Sequence, residues 1–275
     1  MYTLNCQGRL LRLDQPVVMG ILNVTPDSFY TGSRVQNTDQ ALKLAEKMLK
    51  ESALMLDVGG MSTRPDAEEI SVDEELKRVI PAIEGIAKNF PEAIVSVDSY
   101  RYEVVKEALE AGARIVNDIY GGRDTAILDL AGERRAPYIC MHMRGTPKTM
   151  QKLTNYDSLA REVLDYFIQQ KSLFLKHGVL DMIIDPGFGF AKTAIQNFQL
   201  LKDLPLFQML ELPVMVGWSR KSTIYRTLGT TAEEALNGTT VMNTIALQQG
   251  AAILRVHDVK EAAEAIRLWM SYTNA

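Results

Sequence analysis

VVMGILNVTPDS, residues 17–28, passes from an almost unbroken apolar run into a loop of polar and turn-forming residues. A continuous apolar run of this length is typical of a strand that is buried on both faces in a parallel sheet. Asn23 is the first polar side chain after the run, so we place the end of the strand there. This abrupt change predicts that the functional part of the molecule begins where the strand ends.

The same change from apolar run to polar exit recurs seven more times along the chain. The polar residues at these exits are Asp57, Asp98, Asn117 with Asp118, His142, Asp185, Ser219 with Arg220 and Lys221, and Arg255 with His257. Between the runs, apolar residues recur at spacings of three and four, which is typical of amphipathic helices. Eight alternations of strand and helix predict a single (β/α)8 TIM barrel over residues 1–275. In such a barrel all eight exits lie at one mouth, where active sites are found.

Two local patterns add detail to the predicted barrel. Residues 1–16 precede the first barrel strand as a short N-terminal extension, and the segment LNCQGRLLRLD suggests a hairpin across one barrel end. The segment SVDEELKRVIPAIEGIAKNF has Ser71 at a suitable N-cap position and Glu74 three residues later, which predicts a capping box.

The overall composition argues against several classes of function. Hydrophobic residues make up 47% of the chain and charged residues 23%, and no apolar run approaches the length of about 18 residues that suggests a membrane span. The N-terminus does not resemble a signal peptide, so we expect a cytoplasmic protein. A net charge of −4 provides no general attraction to nucleic acid or to an anionic membrane. Cys6 and Cys140 lack metal-ligand spacing and are expected to be reduced, structural thiols.

Seven segments of the chain carry a resemblance to a known family. They are NVTPDSF at 23–29, DVGGMSTRPDAEEIS at 57–71, VSVDSY at 95–100, NDIYG at 117–121, DPGFGFAKT at 185–193, GWSRKS at 217–222 and LRVHDV at 254–259. In this order and at barrel spacing, they resemble the dihydropteroate synthases. The resemblance implies a folate-pathway transferase that joins 6-hydroxymethyl-7,8-dihydropterin diphosphate to p-aminobenzoate and releases diphosphate. Met61 and Asp66 depart from the family pattern GGESTRPGA, which has a glutamate and a glycine at these positions.

The pterin ring determines which residues are expected to bind it. One edge of the ring presents an amino group and a ring N–H, and a single carboxylate can accept from both. By resemblance, Asp185 binds this edge, Asp98 and Asn117 complete a polar floor, and Lys221 donates to the ring carbonyl. Strand-end aspartates also cap turns and helices, so a purely structural role is the alternative for each of them.

The diphosphate is expected to bind beside the last strand. Arg255 and His257 supply positive charge and donors where this fold customarily binds anions, although such side chains are also often solvated or packed. The resemblance adds Thr63 and Arg64 to this site, and it makes Asn23 a ligand of Mg²⁺. One amide oxygen is enough, because Mg²⁺ is usually held mainly through substrate phosphates.

The residues expected to bind p-aminobenzoate come from three loops. They are Thr63, Arg64, Pro65, Phe190, Ser219 and Lys221. Ser219 precedes a predicted helix whose first N–H groups could receive the carboxylate, and SRKS is equally compatible with a plain helix N-cap. Pro65, Phe29 and Phe190 either pack on the aryl ring or serve ordinary loop packing. The loops at 23–33 and 61–67 are expected to act as mobile covers of the site.

No nucleophile is placed to form a covalent intermediate, so the sequence predicts a dissociative mechanism. Electrostatic catalytic roles are expected for Asp98, Lys221, Arg255 and His257. Two other functions stay open: a pterin-binding module that passes a methyl group to a corrinoid, and a non-catalytic paralogue that binds a pterin. The predicted diphosphate site argues against the first, and the presence of every matched motif residue argues against the second. The resemblance also implies a homodimer that pairs through the outer helices.

Overall fold

The computed structural model describes residues 1–24, 34–61 and 69–275, and residues 34–37 by their backbone alone. An antiparallel hairpin formed by β1 (Tyr2–Cys6) and β2 (Arg9–Leu13) precedes an eight-stranded parallel sheet. The sheet strands are β3 (Val17–Asn23), β4 (Ala53–Gly59), β5 (Ile94–Asp98), β6 (Ile115–Asp118), β7 (Tyr138–Met141), β8 (Met182–Asp185), β9 (Met215–Val216) and β10 (Ile253–Val256).

The helices that alternate with these strands form the outer layer. They are α1 (Arg34–Lys50), α2 (Val72–Asn89), α3 (Tyr102–Ala111), α4 (Thr125–Arg134), α5 (Leu159–Lys176), α6 (Ala194–Lys202), α7 (Ser222–Leu228), α8 (Leu236–Gln248) and α9 (Val259–Thr273), with 3₁₀ turns at Met150–Lys152 and Leu204–Leu210. None of the helices within the described ranges combines the length and the apolar character needed to cross a lipid bilayer.

The sheet closes on itself between β8 and β9. The strand order runs from β8 down to β3 and continues through β10 to β9. The remaining gap is joined by a parallel bridge between Ile184 and Val214, and the Ile184 N–H donates to the Pro213 carbonyl at 3.0 Å. The predicted (β/α)8 barrel is therefore confirmed.

One inward-facing side chain from each strand fills the lower half of the barrel. These residues are Met19, Met55, Ile94, Ile115, Ile139, Ile183, Met215 and Ile253, and they form one buried cluster with Leu4, Cys6, Leu11 and Leu13 of the hairpin. The hairpin thus covers the amino-terminal end of the barrel, as its sequence suggested. Because side chains alternate along a strand, the next inward positions lie two residues further on, and five of these eight are polar. The eight positions are Ile21, Asp57, Ser96, Asn117, Met141, Asp185, Gly217 and Arg255, and the polar ones are Asp57, Ser96, Asn117, Asp185 and Arg255.

The start of α2 corrects one sequence prediction. Ser71 is the N-cap and its hydroxyl accepts from the Glu74 N–H at 3.2 Å. The Glu74 carboxylate, however, pairs with Arg78 one turn later, at 2.8 Å, so only half of the predicted capping box forms. A complete capping box begins α6, where Thr193 and Gln196 bond reciprocally. The i,i+4 ion pair at Glu74 is the competing interaction that sequence spacing alone did not reveal.

Ser71→Ala should lower the free energy of unfolding by about 1 kcal/mol, because the first turn of α2 loses its side-chain acceptor. Urea denaturation of the variant and the parent protein measures this difference. Ser271→Ala is the matched control, since the Ser271 hydroxyl bonds back to the Arg267 carbonyl within α9 and caps no N-terminus. Equal effects of the two substitutions would contradict the capping role.

Candidate active site

Asp57 is the centre of a hydrogen-bond network at the carboxyl-terminal mouth of the barrel. Its side chain is fully buried, and Oδ2 accepts from Asn117 Nδ2 at 2.8 Å and from Arg255 Nε at 2.7 Å. Arg255 also donates through Nη2 to Asp98 Oδ2 at 2.7 Å. Among the described residues, Asp57 Oδ1 is buried without a hydrogen-bond partner, so it is an acceptor that a ligand or water would satisfy. One carboxylate therefore orients groups from β6 and β10.

The strand register aligns four mouth positions in one row. Asn23 of β3 pairs with Gly59, Gly59 with Asp98, and Asp98 with Asn117. A Cβ on Gly59 would lie 3.3 Å from the Cβ of Asp98, tighter than ordinary van der Waals contact, so glycine lets the Asp98 side chain approach this strand. Asn23 is half-buried at the end of the row. We refer to Asp57, Asp98 and Asn117 together as the acidic floor.

Asp98 and Arg255 both have shifted pKa values. Burial raises the pKa of Asp98 to about 7, with the neighbouring Asp57 adding to the rise and the Arg255 guanidinium opposing it. Burial disfavours the charge on Arg255, but Asp57 and Asp98 outweigh it and hold the pKa of Arg255 above its ordinary value. The guanidinium therefore stays charged, whereas the raised pKa of Asp98 makes its ionisation sensitive to the charge of a bound ligand.

A second acid and a base lie on the opposite side of the floor. Asp185 is buried, which raises its pKa, while Lys221 and the Gly187 N–H oppose the rise. The Gly187 N–H donates to Asp185 Oδ1 at 2.8 Å and so orients the carboxylate. Burial lowers the pKa of Lys221 to about 8, although Asp185 opposes this change. Lys221 donates to the Phe188 carbonyl, and its Nζ lies 4.9 Å from the centre of the Phe190 ring.

The loops after β9 and β10 are joined by two pairs of contacts. The Ser219 hydroxyl accepts from the His257 backbone N–H at 3.1 Å and lies 3.1 Å from His257 Nδ1. Beside it, Arg220 donates through Nε and Nη2 to the two carboxylate oxygens of Asp258, both at 2.9 Å. These contacts hold His257, in the loop after β10, against the loop after β9.

The start of α7 corrects the interpretation of SRKS as a plain helix cap. The helix begins at Ser222, and its N-cap is Lys221, which makes no side-chain capping bond. Ser219 lies three residues before the helix, and its hydroxyl is engaged with His257. The proposed contact of Ser219 with p-aminobenzoate stays a prediction.

The structure gathers most of the predicted site residues at one mouth. Asn23, Asp57, Asp98, Asn117, Asp185, Lys221, Arg255 and His257 all lie at carboxyl ends of barrel strands or in the residues directly after them. Thr63, Arg64, Pro65, Phe29 and Asp66 lie outside the described residues, as do most of the two predicted cover loops. Met61 is described, and its sulfur accepts from the Tyr100 hydroxyl at 3.9 Å.

Two contributions were not predicted from the sequence. The sequence predicts a place for Asp57 at the mouth but no role, although its position two residues after the buried Met55 indicates that its side chain faces inward. Lys192 has no role among the sequence predictions, although it is a lysine within the glycine-rich and apolar segment DPGFGFAKT. It is buried and contacts His142, the polar exit of β7.

The side chain of Asn23 is compatible with a Mg²⁺ ion that is held mainly by the phosphates of a substrate. Within the described ranges, no group of three or more His, Cys, Asp or Glu side chains is arranged to hold a metal ion. Asn23 supplies a half-buried amide, whose oxygen is the hard ligand that Mg²⁺ accepts. A metal here would therefore be held by this residue together with phosphate oxygens.

Comparisons with known proteins agree with this geometry. A family model described as pterin binding enzyme matches residues 19–257. The dihydropteroate synthase of Escherichia coli K12 is 46% identical over 264 residues, which cover 95% of this chain and 93% of the relative. The dihydropteroate synthase of Yersinia pestis, solved with a sulfonamide drug complex, superposes with a TM-score of 0.93 at 40% identity and full coverage of both chains. The enzyme of Xanthomonas albilineans in complex with 7,8-dihydropteroate superposes with a TM-score of 0.90 at 36% identity, also with full coverage.

Proposed function

Because the chain belongs to the pterin-binding enzymes, and among them to the dihydropteroate synthases, we propose that it condenses 6-hydroxymethyl-7,8-dihydropterin diphosphate with p-aminobenzoate. The products are 7,8-dihydropteroate and diphosphate, and the enzyme is a transferase of folate biosynthesis.

One observation carries this proposal, namely the placement of buried acids and fixed cations at one mouth. The buried Asp185 and Asn117 and the partly buried Asp98 offer acceptors for the donor edge of a pterin. Arg255, held by Asp57 and Asp98, supplies a permanent positive charge beside His257, where a diphosphate would bind. A pterin that carries a diphosphate matches both halves of this arrangement.

The residues support a dissociative reaction. An aryl amine is a weak nucleophile, whereas diphosphate is an excellent leaving group on a carbon attached to an electron-rich ring. Arg255 and His257 stabilise the charge that grows on the departing diphosphate, and Asp98 stabilises the positive charge that remains on the pterin. Lys221 donates to the ring carbonyl and holds the ring over the floor. When bound near Asn23, Mg²⁺ would supply further charge stabilisation at the phosphates.

The second substrate is assigned to residues that follow β4, β8 and β9 in the chain. Phe190, Ser219 and Lys221 contribute to the p-aminobenzoate site, together with Thr63, Arg64 and Pro65. Thr63 and Arg64 also contact the diphosphate. Since the Yersinia pestis enzyme was solved with a sulfonamide drug complex, we infer that this protein also binds sulfonamides.

Family membership also supports a proposal about the oligomeric state and the cellular location. We propose a homodimer that pairs through the outer helices and a cytoplasmic location.

Release of diphosphate tests the proposed reaction directly. The purified protein with Mg²⁺ should release diphosphate and form 7,8-dihydropteroate only when both substrates are present, as measured by a coupled diphosphate assay and by chromatography of the product. Each single-substrate mixture is a control. Pterin binding without release would instead support the non-catalytic paralogue, and release of diphosphate without formation of 7,8-dihydropteroate in the complete mixture would contradict the condensation.

A further inference from the structure

Lys192 is a buried ammonium group that the proposed reaction does not use. The residue is 4% exposed, and burial lowers the pKa of its amine to about 7, although the charge of Asp185 opposes this change. Nζ donates to the carbonyls of Gly187 at 3.1 Å and Phe190 at 3.0 Å. It also lies 3.0 Å from His142 Nδ1 and 3.4 Å from the His142 carbonyl. Burying an ammonium is costly unless its donors are satisfied, and here four acceptors surround it.

His142 is suited to accept from this ammonium. Burial lowers the pKa of the imidazole well below its ordinary value, and Lys192 and Arg144 lower it further. The neutral ring can therefore present the lone pair of Nδ1 to Lys192 and carry its proton on Nε2. Edge-on packing against Tyr166, with ring centres 5.0 Å apart, fixes the plane of the imidazole.

The acceptors of Lys192 belong to the loop that shapes the pterin site. Gly187 donates its N–H to Asp185 while its carbonyl accepts from Lys192. Gly187 has a φ of 70°, and a Cβ there would lie 2.1 Å from the His142 carbonyl, so this turn requires glycine. The next residue, Phe188, accepts from Lys221 through its carbonyl.

Lys192 also contacts the far end of the loop between β8 and α6. Phe190, whose carbonyl accepts from Lys192, presents its ring to Lys221. The Ala191 carbonyl accepts from the Tyr156 hydroxyl at 3.0 Å, which ties the loop to the segment after β7. Lys192 thus binds both ends of the turn from Gly187 to Phe190, much as an internal cation would.

We propose that Lys192, paired with His142, is a positioning residue that sets the shape of the loop between β8 and α6 and thereby orients Asp185 and Lys221 toward the pterin ring. This inference rests on the proposed function, since it assigns the loop to pterin recognition. Lys192 acts through Asp185 and Lys221 and is not assigned a contact with the substrate.

Lys192→Met provides the test, because methionine fills a similar volume without donors or charge. The dissociation constant of 6-hydroxymethylpterin, measured by titration calorimetry without a second substrate, should rise at least about tenfold. Lys192→Gln retains two N–H donors and should recover part of the loss. Lys171→Met is the matched control, because Lys171 donates to the Leu210 carbonyl at 2.9 Å on the outside of the barrel. It should change pterin affinity by less than twofold, even if the melting temperature falls as much as in Lys192→Met.

Two outcomes would overturn the inference. One is an unchanged pterin dissociation constant in Lys192→Met, and the other is an equal loss in Lys171→Met, which would indicate general destabilisation. If Lys192→Met does not fold, His142→Phe removes only the ring acceptor and should still weaken pterin binding, and wild-type affinity in that variant would refute the pairing. Absence of pterin binding by the parent protein would contradict the proposed function itself, so the two failures are distinguishable.

Discussion

Replacing Asp185 by alanine is expected to weaken pterin binding by about 100-fold or more. The donor edge of the ring would lose an acceptor for two N–H groups inside a buried site. Hydrogen bonds to charged groups contribute about 1.5 to 3 kcal/mol each, and about 1.4 kcal/mol corresponds to a factor of ten in affinity. Titration calorimetry with 6-hydroxymethylpterin measures the change without requiring turnover.

Two further substitutions define the role of Asp185. Asp185→Asn keeps an oxygen for the Gly187 N–H but presents an NH₂ group to the ring in one orientation, so it should also bind the pterin poorly. Asp181→Ala removes an aspartate that accepts from the Asn5 N–H at the amino-terminal end of the barrel, and it should leave pterin affinity unchanged. Pterin affinity that is the same in Asp185→Ala and in the parent protein would refute the recognition role.

Arg255→Ala should reduce the rate of diphosphate release by about 10²–10³, the loss typical of removing a fixed donor that stabilises charge in a transition state. The substitution also removes the donor that Asp57 and Asp98 share, and it leaves two buried carboxylates close together. Asp98 should then be protonated more readily, because the opposing guanidinium is gone. Steady-state turnover by the coupled diphosphate assay measures the rate.

Arg255 should also affect the order of substrate binding. We expect p-aminobenzoate to bind weakly to the free protein and more tightly once diphosphate, Mg²⁺ and a pterin are present. Arg255→Ala should abolish this gain, whereas the control Arg114→Ala should retain it, since Arg114 donates to the Cys6 carbonyl at the opposite end of the barrel. Tight binding of p-aminobenzoate to the empty parent protein, with no gain from the added ligands, would exclude the ordered scheme while leaving the reaction itself intact.

The sequence by itself determined the barrel and the row of polar strand ends, because both follow from local regularities. An apolar run that stops at Asn23 or Asp98 defines a strand end, and parallel strands in a closed sheet place their ends at one mouth. Alternation along β4 likewise turns Asp57 inward once Met55 is assigned to the core. The N-terminal hairpin was visible from the same kind of pattern.

Which polar groups bond to one another was decided only by the tertiary structure. Asp57 receives donors from residues 60 and 198 positions away in the chain, and no spacing rule relates such partners. They meet because barrel closure makes β10 a neighbour of β3, which brings Arg255 within reach of β4. The contacts of Lys192 depend on the pairing of β7 with β8, since its acceptors are His142, directly after β7, and carbonyls of its own loop. Burial then sets the charge balance of these groups, because desolvation depends on everything packed around them.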